Sequence, residues 1–297
     1  MTLEPMMDGP SHEAPKLPER RGDPQIRLAC ISGKGGVGKT TLAISLAASL
    51  AELGLSVLAI DCDPQSNLTS GLGFEPYEIT PSLSDVMSGK VPALDAVIPT
   101  KWANLWVMPA TPDLSTVEAQ LPSSISRETV LRDALRSGGV DAHFDVIILD
   151  TPPNFGLHTV NALAATRHVI VPLQMSGYAV KGLRELRRVM KAAQISLNPE
   201  LALVGLVPTF VNSRTRMSRE MLEALGEMSD ILVFKARIPV TVKLQETSLF
   251  GIPITALARR SHVAEEYRKL ATEVLAAVEP AGASGSAPIP LRKALIG

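Results

Sequence analysis

Residues 33 to 41 read Gly33-Lys34-Gly35-Gly36-Val37-Gly38-Lys39-Thr40-Thr41, and no other stretch limits the fold as much. The apolar run Ile26-Arg27-Leu28-Ala29-Cys30-Ile31 before it reads as a buried strand. After it, Leu42, Leu46, Ala47, Leu50 and Leu53 recur at helical spacing. A glycine loop between a strand and a helix is a phosphate cradle. Its backbone N–H groups curl around phosphate oxygens, and the helix N-terminus adds the positive end of its dipole. Lys39 is set to reach the β- and γ-phosphates, and the Thr40 hydroxyl to ligate Mg2+. Lys34 is surplus to that pattern.

Beyond the loop, short Val/Ile/Leu-rich runs alternate with helical patterns. Candidate strands are Ile26–Ser32, Ser56–Asp61, Leu105–Pro109, Asp145–Asp150, His168–Leu173, Leu201–Val207 and Ile231–Ala236. Runs this apolar belong in a sheet covered on both faces. The expected fold is α/β: a doubly wound, mostly parallel sheet with helices on both faces, of the P-loop NTPase kind. The last helix falls near Val263–Val278. Residues 1–25 are proline-rich and charged and read as a disordered tail. Residues 26–279 are expected to form one P-loop domain, and 280–297 a flexible tail.

Two acidic strand ends complete the phosphate chemistry. Phe144-Asp145-Val146-Ile147-Ile148-Leu149-Asp150 ends in a carboxylate at the sheet edge where ligands bind, and Thr151-Pro152-Pro153 follows as a stiff turn. Leu58-Ala59-Ile60-Asp61-Cys62-Asp63-Pro64-Gln65 carries two carboxylates two residues apart, which point the same way in an extended segment. One can support Mg2+ and the other orient the attacking water.

Net charge is −1, but it is unevenly spread. Residues 1–175 hold 12 Lys and Arg against 19 Asp and Glu, whereas 176–297 hold 17 against 11. A basic second half faces a polyanion or merely solvent. Cys30 and Cys62 lie in apolar strand patterns without a Cys-x-x-Cys pair, which reads as buried reduced thiols in a cytosolic protein. The acidic N-terminus has no apolar core and is not a signal peptide.

These motifs resemble the ParA-type ATPases of the deviant Walker A group, which includes partition ATPases, MinD and cargo-positioning relatives. The likeness rests on Lys34–Thr41, Asp61–Gly73 and Asp150–Leu157, with Asn161-Ala162-Leu163 and Arg214-Thr215 also fitting. Asp61-Cys62-Asp63-Pro64-Gln65 favours the partition branch, Soj-like, over the MinD branch. The resemblance implies a slow ATPase with ATP and Mg2+ as cofactors. Gly33 to Thr41 would bind nucleotide, Thr41 at the α-phosphate, and Pro239 would lie by the base. Lys34 resembles the signature lysine that crosses an ATP-dependent homodimer to the other subunit's phosphates. Asp63 resembles the water-positioning carboxylate. Thr40, Asp61 and Asp150 would serve the metal, the two carboxylates through water.

The resemblance also implies non-specific DNA binding, a nucleoid-associated place in the cytoplasm, and a ParB-like or cargo adaptor that stimulates hydrolysis. Arg214 and Lys243 occupy positions like those of the family's DNA-contacting arginines, and Arg184 and Arg188 share one helical face with Arg187 and Lys191. Two positions depart from the pattern: Ile238-Pro239-Val240-Thr241 stands where partition ATPases often read Ile-Pro-Arg-Asn, and Ser176 stands where a glutamate is common. A MinD-like membrane-associated ATPase is the alternative, but Leu291–Ile296 is too short an amphipathic segment to bury much apolar area. An iron–sulfur reductase lacks its cysteines.

Overall fold

A computed structural model describes residues 17–19, 26–120, 126–175, 179–212, 214–227 and 231–278. In chain order the elements are β1 (Ile26–Cys30), α1 (Lys39–Glu52), β2 (Val57–Asp61), α2 (Asn67–Gly71), α3 (Leu83–Met87), β3 (Ile98–Pro99), β4 (Leu105–Met108), α4 (Leu114–Gln120), α5 (Val130–Ser137), β5 (Val146–Asp150), α6 (Leu157–Ala165), β6 (His168–Gln174), α7 (Ala179–Ser196), β7 (Ala202–Thr209), α8 (Arg216–Gly226), α9 (Val242–Phe250), α10 (Ile254–Leu257) and α11 (His262–Ala277).

The strands form one seven-stranded sheet in the order β3-β4-β2-β5-β1-β6-β7. All pairings are parallel except β3 with β4. Every residue of β2 and β5 is buried, which is why neither shows polar alternation. One core packs α3 to α8 against one face, around Leu58, Ile60, Ile147 and Leu149. The other packs α1, α10 and α11 against the opposite face, around Leu28, Ala59 and Ile148. The central register matters most. Cys30 lies opposite Asp150, and Asp150 lies opposite Asp61, so three strand ends finish in one row.

Ile231–Ala236, expected as a strand, forms no ladder; Val233 makes only an isolated parallel bridge with Leu206. Phe234 N and Ile238 N do donate to the Leu206 and Pro208 carbonyls of β7, each at 2.9 Å, but the N–H groups between them are taken by side chains. Glu273 of α11 accepts from Lys235 at 2.7 Å and Ala236 at 3.4 Å, and Glu266 accepts from Arg237 at 2.5 Å. Conversely, β3 was not foreseen: two residues, one a proline, leave no periodicity to read. The N-terminal tail also departs from expectation at Leu17–Glu19. Leu17 packs against the first core, and the Pro18 carbonyl lies 2.7 Å from His143 Nδ1. The rest of residues 1–25, Ser176, residues 280–297 and Leu291–Ile296 lie outside the described residues. Among the described residues no helix is long and apolar enough to cross a membrane.

His168, at the start of β6, is 7% exposed. Burial, then the charge of Arg167, lowers its pKa from 6.5 to about 4. Between those values the unfolded chain binds the proton and the folded chain refuses it, so stability is full above about pH 6.5 and falls as pH drops toward 4. The expected contribution is on the order of 3 kcal/mol. Urea midpoints measured from pH 7 to 4 should therefore slope less in His168→Gln than in the parent. Parallel slopes would refute this.

Candidate functional site

The loop after β1 needs two left-handed glycines. Gly36 has φ of 74° and Gly38, the residue that caps α1, has φ of 87°. Side chains both near and distant in sequence fix its shape. Thr209 at the end of β7 donates to the Val37 carbonyl at 3.0 Å, Ser32 donates to that of Lys34 at 2.9 Å, and the Phe155 ring sits against Gly33. Phe210 lies beside Gly38, and Val211 bridges to half-buried Pro239, which brings that residue near the loop. A cleft of about 290 Å3 opens along the loop, lined also by Asp63, Pro153, Thr247 and Ser248.

The two loop lysines have opposite surroundings. Lys39 is 7% exposed; its Nζ donates to Asp150 Oδ1 at 3.0 Å and to the Thr151 carbonyl. Burial opposes its charge, but Asp150 outweighs that and, with Asp63, raises its pKa above the lysine range. Lys34 is exposed, with its Nζ 3.5 Å from Gln174 Oε1.

The carboxylates differ as sharply. Burial and then the Asp150 charge push Asp61 up to about 7. Both Asp61 oxygens are engaged: Oδ2 accepts from Thr69 N at 2.9 Å and Thr69 Oγ1 at 2.8 Å, and Oδ1 accepts from Asp63 N at 3.1 Å. Asp61 thus anchors the turn into α2, a role its expected place near the metal did not include. Thr69 lies in the Asp61–Gly73 motif but carried no role read from sequence; its hydroxyl also accepts from Ala110 N at 3.0 Å. Asp63 is 4% exposed, lines the cleft and accepts from Gln65 N at 2.9 Å. Asp150 is fully buried; burial raises its pKa, while Lys39 and the Thr40 hydroxyl hold it back.

Asp150 Oδ2 is buried without a hydrogen-bond partner, an arrangement that costs free energy unless a cation or water completes it. Beside it stands the Thr40 hydroxyl. Two buried carboxylates in one row share one buried lysine, so positive charge is short. A hard divalent cation fits that donor set. Among the described residues no three His, Cys, Asp or Glu could hold a metal by themselves, consistent with ligands shared with phosphate and water.

An AAA domain family model matches residues 26–203, more than half of the chain. A chromosome partitioning protein ParA from Myxococcus xanthus is 40% identical over 250 residues, 84% of this chain and 88% of that one. The sporulation initiation inhibitor protein Soj of Bacillus subtilis is 39% identical, over 84% and 98%. The chain belongs to the ParA/MinD superfamily. Its fold is shared with a solved Mycobacterium smegmatis protein described as cobyrinic acid a,c-diamide synthase with bound ADP and magnesium, at 36% identity and a TM-score of 0.73, over 83% of this chain and 92% of that one. ATP and Mg2+ are accordingly the cofactors of this ParA-type ATPase.

The basic residues expected at DNA are exposed. Arg214 and Lys243 follow segments joined by the Val211–Pro239 bridge, so they share one edge of this ParA-family fold. Arg184 and Arg188 lie on α7, whose Leu183, Leu186 and Met190 belong to the core on one face, whereas Leu244 of α9 packs on the other. Asn161, part of the motif likeness, is wholly buried; it accepts from Leu131 N at 3.1 Å and donates to the Arg127 carbonyl at 2.8 Å, tying α6 to α5.

Proposed function

We propose that this chain is an ATP-dependent dimerising switch that binds DNA non-specifically and segregates or positions a cargo: a chromosome, a plasmid or a protein cluster. Its hydrolysis is slow until a ParB-like or cargo adaptor protein stimulates it, and its place is the nucleoid within the cytoplasm. The contrast between Lys39 and Lys34 carries this reading. Lys39 is committed inside its own subunit, whereas Lys34 is exposed at the rim, held by one long 3.5 Å bond to Gln174 that phosphates on a second subunit could replace. Two triphosphates face to face repel, and a lysine donated from each side offsets that repulsion only when both are present.

Within each subunit Gly35 to Gly38 wrap the phosphates, Lys39 holds the β- and γ-phosphates, and Thr41 bonds the α-phosphate. Thr40 and Asp150 would hold Mg2+, which when bound neutralises charge on the phosphates. Asp61 keeps the turn that presents Asp63, and Asp63 orients the attacking water. Pro239 borders the base.

Random duplex DNA should be retained on filters with ATP and much less with ADP or no nucleotide; equal retention in all three defeats the proposal. Lys34→Ala should bind ATP and remain monomeric in size-exclusion runs, and a dimer there would overturn the cross-subunit role. ATP-dependent sedimentation with anionic liposomes would instead favour the MinD-like alternative. The likeness to the diamide synthase supports one further reading, ATP-driven amide formation; ATP turnover stimulated by cobyrinic acid and an amide donor, but not by DNA with an adaptor, would favour it.

A further inference from the structure

At the end of the sheet opposite the nucleotide cleft, where β1 and β6 begin, lies a second cleft of about 810 Å3. Gly139, with φ of 69°, turns the chain from α5 into the short Val140–His143 helix and so brings both around one opening. Arg27, Arg132, Arg136 and Arg167 line it, against Asp141 and Glu200.

These arginines are not equally committed. Arg27 pairs with Asp141 and donates to the Ala165 carbonyl at 3.3 Å, which fixes its fork in place. Arg132 Nε donates to Asp133 at 2.9 Å. The Arg136 side chain, one turn further on, is exposed and makes no hydrogen bond or ion pair among the described residues. Arg167 Nε stands 3.9 Å from Glu200, beyond hydrogen-bond length. The cleft thus holds fixed forks beside uncommitted ones.

His168 supplies a second, independent sign of a ligand. It lines the cleft, is 7% exposed, and its buried Nδ1 has no hydrogen-bond partner. Burial and Arg167 keep it neutral, so it can donate or accept a hydrogen bond without adding like charge. Guanidinium forks match phosphate oxygens in pairs, and fixed ones lose little freedom on binding. The volume lies within the range of small-molecule sites.

We propose that this cleft is a second ligand site, separate from the phosphate loop, for a compact anion bearing a pyrophosphate group, either free or as part of a nucleotide. It requires neither DNA nor a dimer, so it stands or falls apart from the switch reading.

The test is calorimetric titration of the full chain, its loop saturated with Mg-ADP, with inorganic pyrophosphate. One equivalent should bind, and Arg136→Ala/Arg167→Ala should weaken it by roughly tenfold or more. Arg136 is exposed and the Arg167 side chain is 39% exposed, and neither makes a side-chain hydrogen bond of 3.5 Å or less among the described residues; an unchanged thermal unfolding midpoint checks that the variant keeps its fold. Arg259→Ala/Arg260→Ala removes the same charge from exposed residues elsewhere and should leave pyrophosphate binding unchanged. Equilibrium dialysis separates the two sources: two equivalents of ADP on the parent, one of them lost in Arg136→Ala/Arg167→Ala, assign a nucleotide, and one equivalent beside retained pyrophosphate binding assigns the free anion. No binding at about 1 mM pyrophosphate together with one equivalent of ADP on the parent, or equal weakening by both pairs of substitutions, overturns the proposal.

Discussion

Lys39→Ala is expected to abolish ATP binding and also to destabilise the nucleotide-free protein. The second effect follows from the ion pair of 3.0 Å, in which Lys39 is 7% and Asp150 0% exposed. Truncating the lysine leaves a carboxylate buried without its counter-charge, a loss of about 3–5 kcal/mol in comparable pairs. Lys39→Ala/Asp150→Asn should recover much of that stability, because the carboxylate charge left without its partner is then removed as well. It should not recover nucleotide binding, because neither the phosphate lysine nor the metal carboxylate remains. Thermal unfolding of the single and double variants, beside ATP titrations, separates the two losses. A single variant as stable as the parent would show that Asp150 finds its compensation elsewhere.

Asp63→Ala is expected to cut ATP turnover by roughly 10²- to 10⁴-fold, the usual worth of a positioned base, while ATP binding persists. The variant should accumulate the ATP-bound, DNA-retained form. Asp63 touches no side chain of the Lys39–Asp150 pair by hydrogen bond, accepting only from Gln65 N. Its removal should therefore spare the cradle. Phosphate-release assays with and without DNA give the rate, and normal turnover would remove Asp63 from the reaction.

The sequence made the phosphate loop and both acidic strand ends readable because each is local: a glycine pattern, an apolar run, a carboxylate at its end. The parallel sheet followed from the same runs. What escaped was set by partners far along the chain. Asp61 and Asp63 look alike two residues apart, yet Thr69 takes hold of Asp61 and leaves Asp63 facing the cleft. The Thr209 contact to Val37 joins residues 172 apart, which no window can register. Ile231–Ala236 has the composition of a strand, but while Phe234 N donates to Leu206 of β7, the N–H groups of Lys235, Ala236 and Arg237 answer to the glutamates of α11. The arginines of the second cleft are scattered over β1, α5 and the α6–β6 turn, so no run of charge announces them.

Those glutamates have a consequence for crowding. Beyond β7 they occupy donors that another chain's strand would need, and at the far edge β3 exposes only two residues, Pro99 among them. Both borders are thus poor templates for adding a strand. A chain with two such borders can tolerate high local concentration with little tendency to add strands edge to edge into β-aggregates.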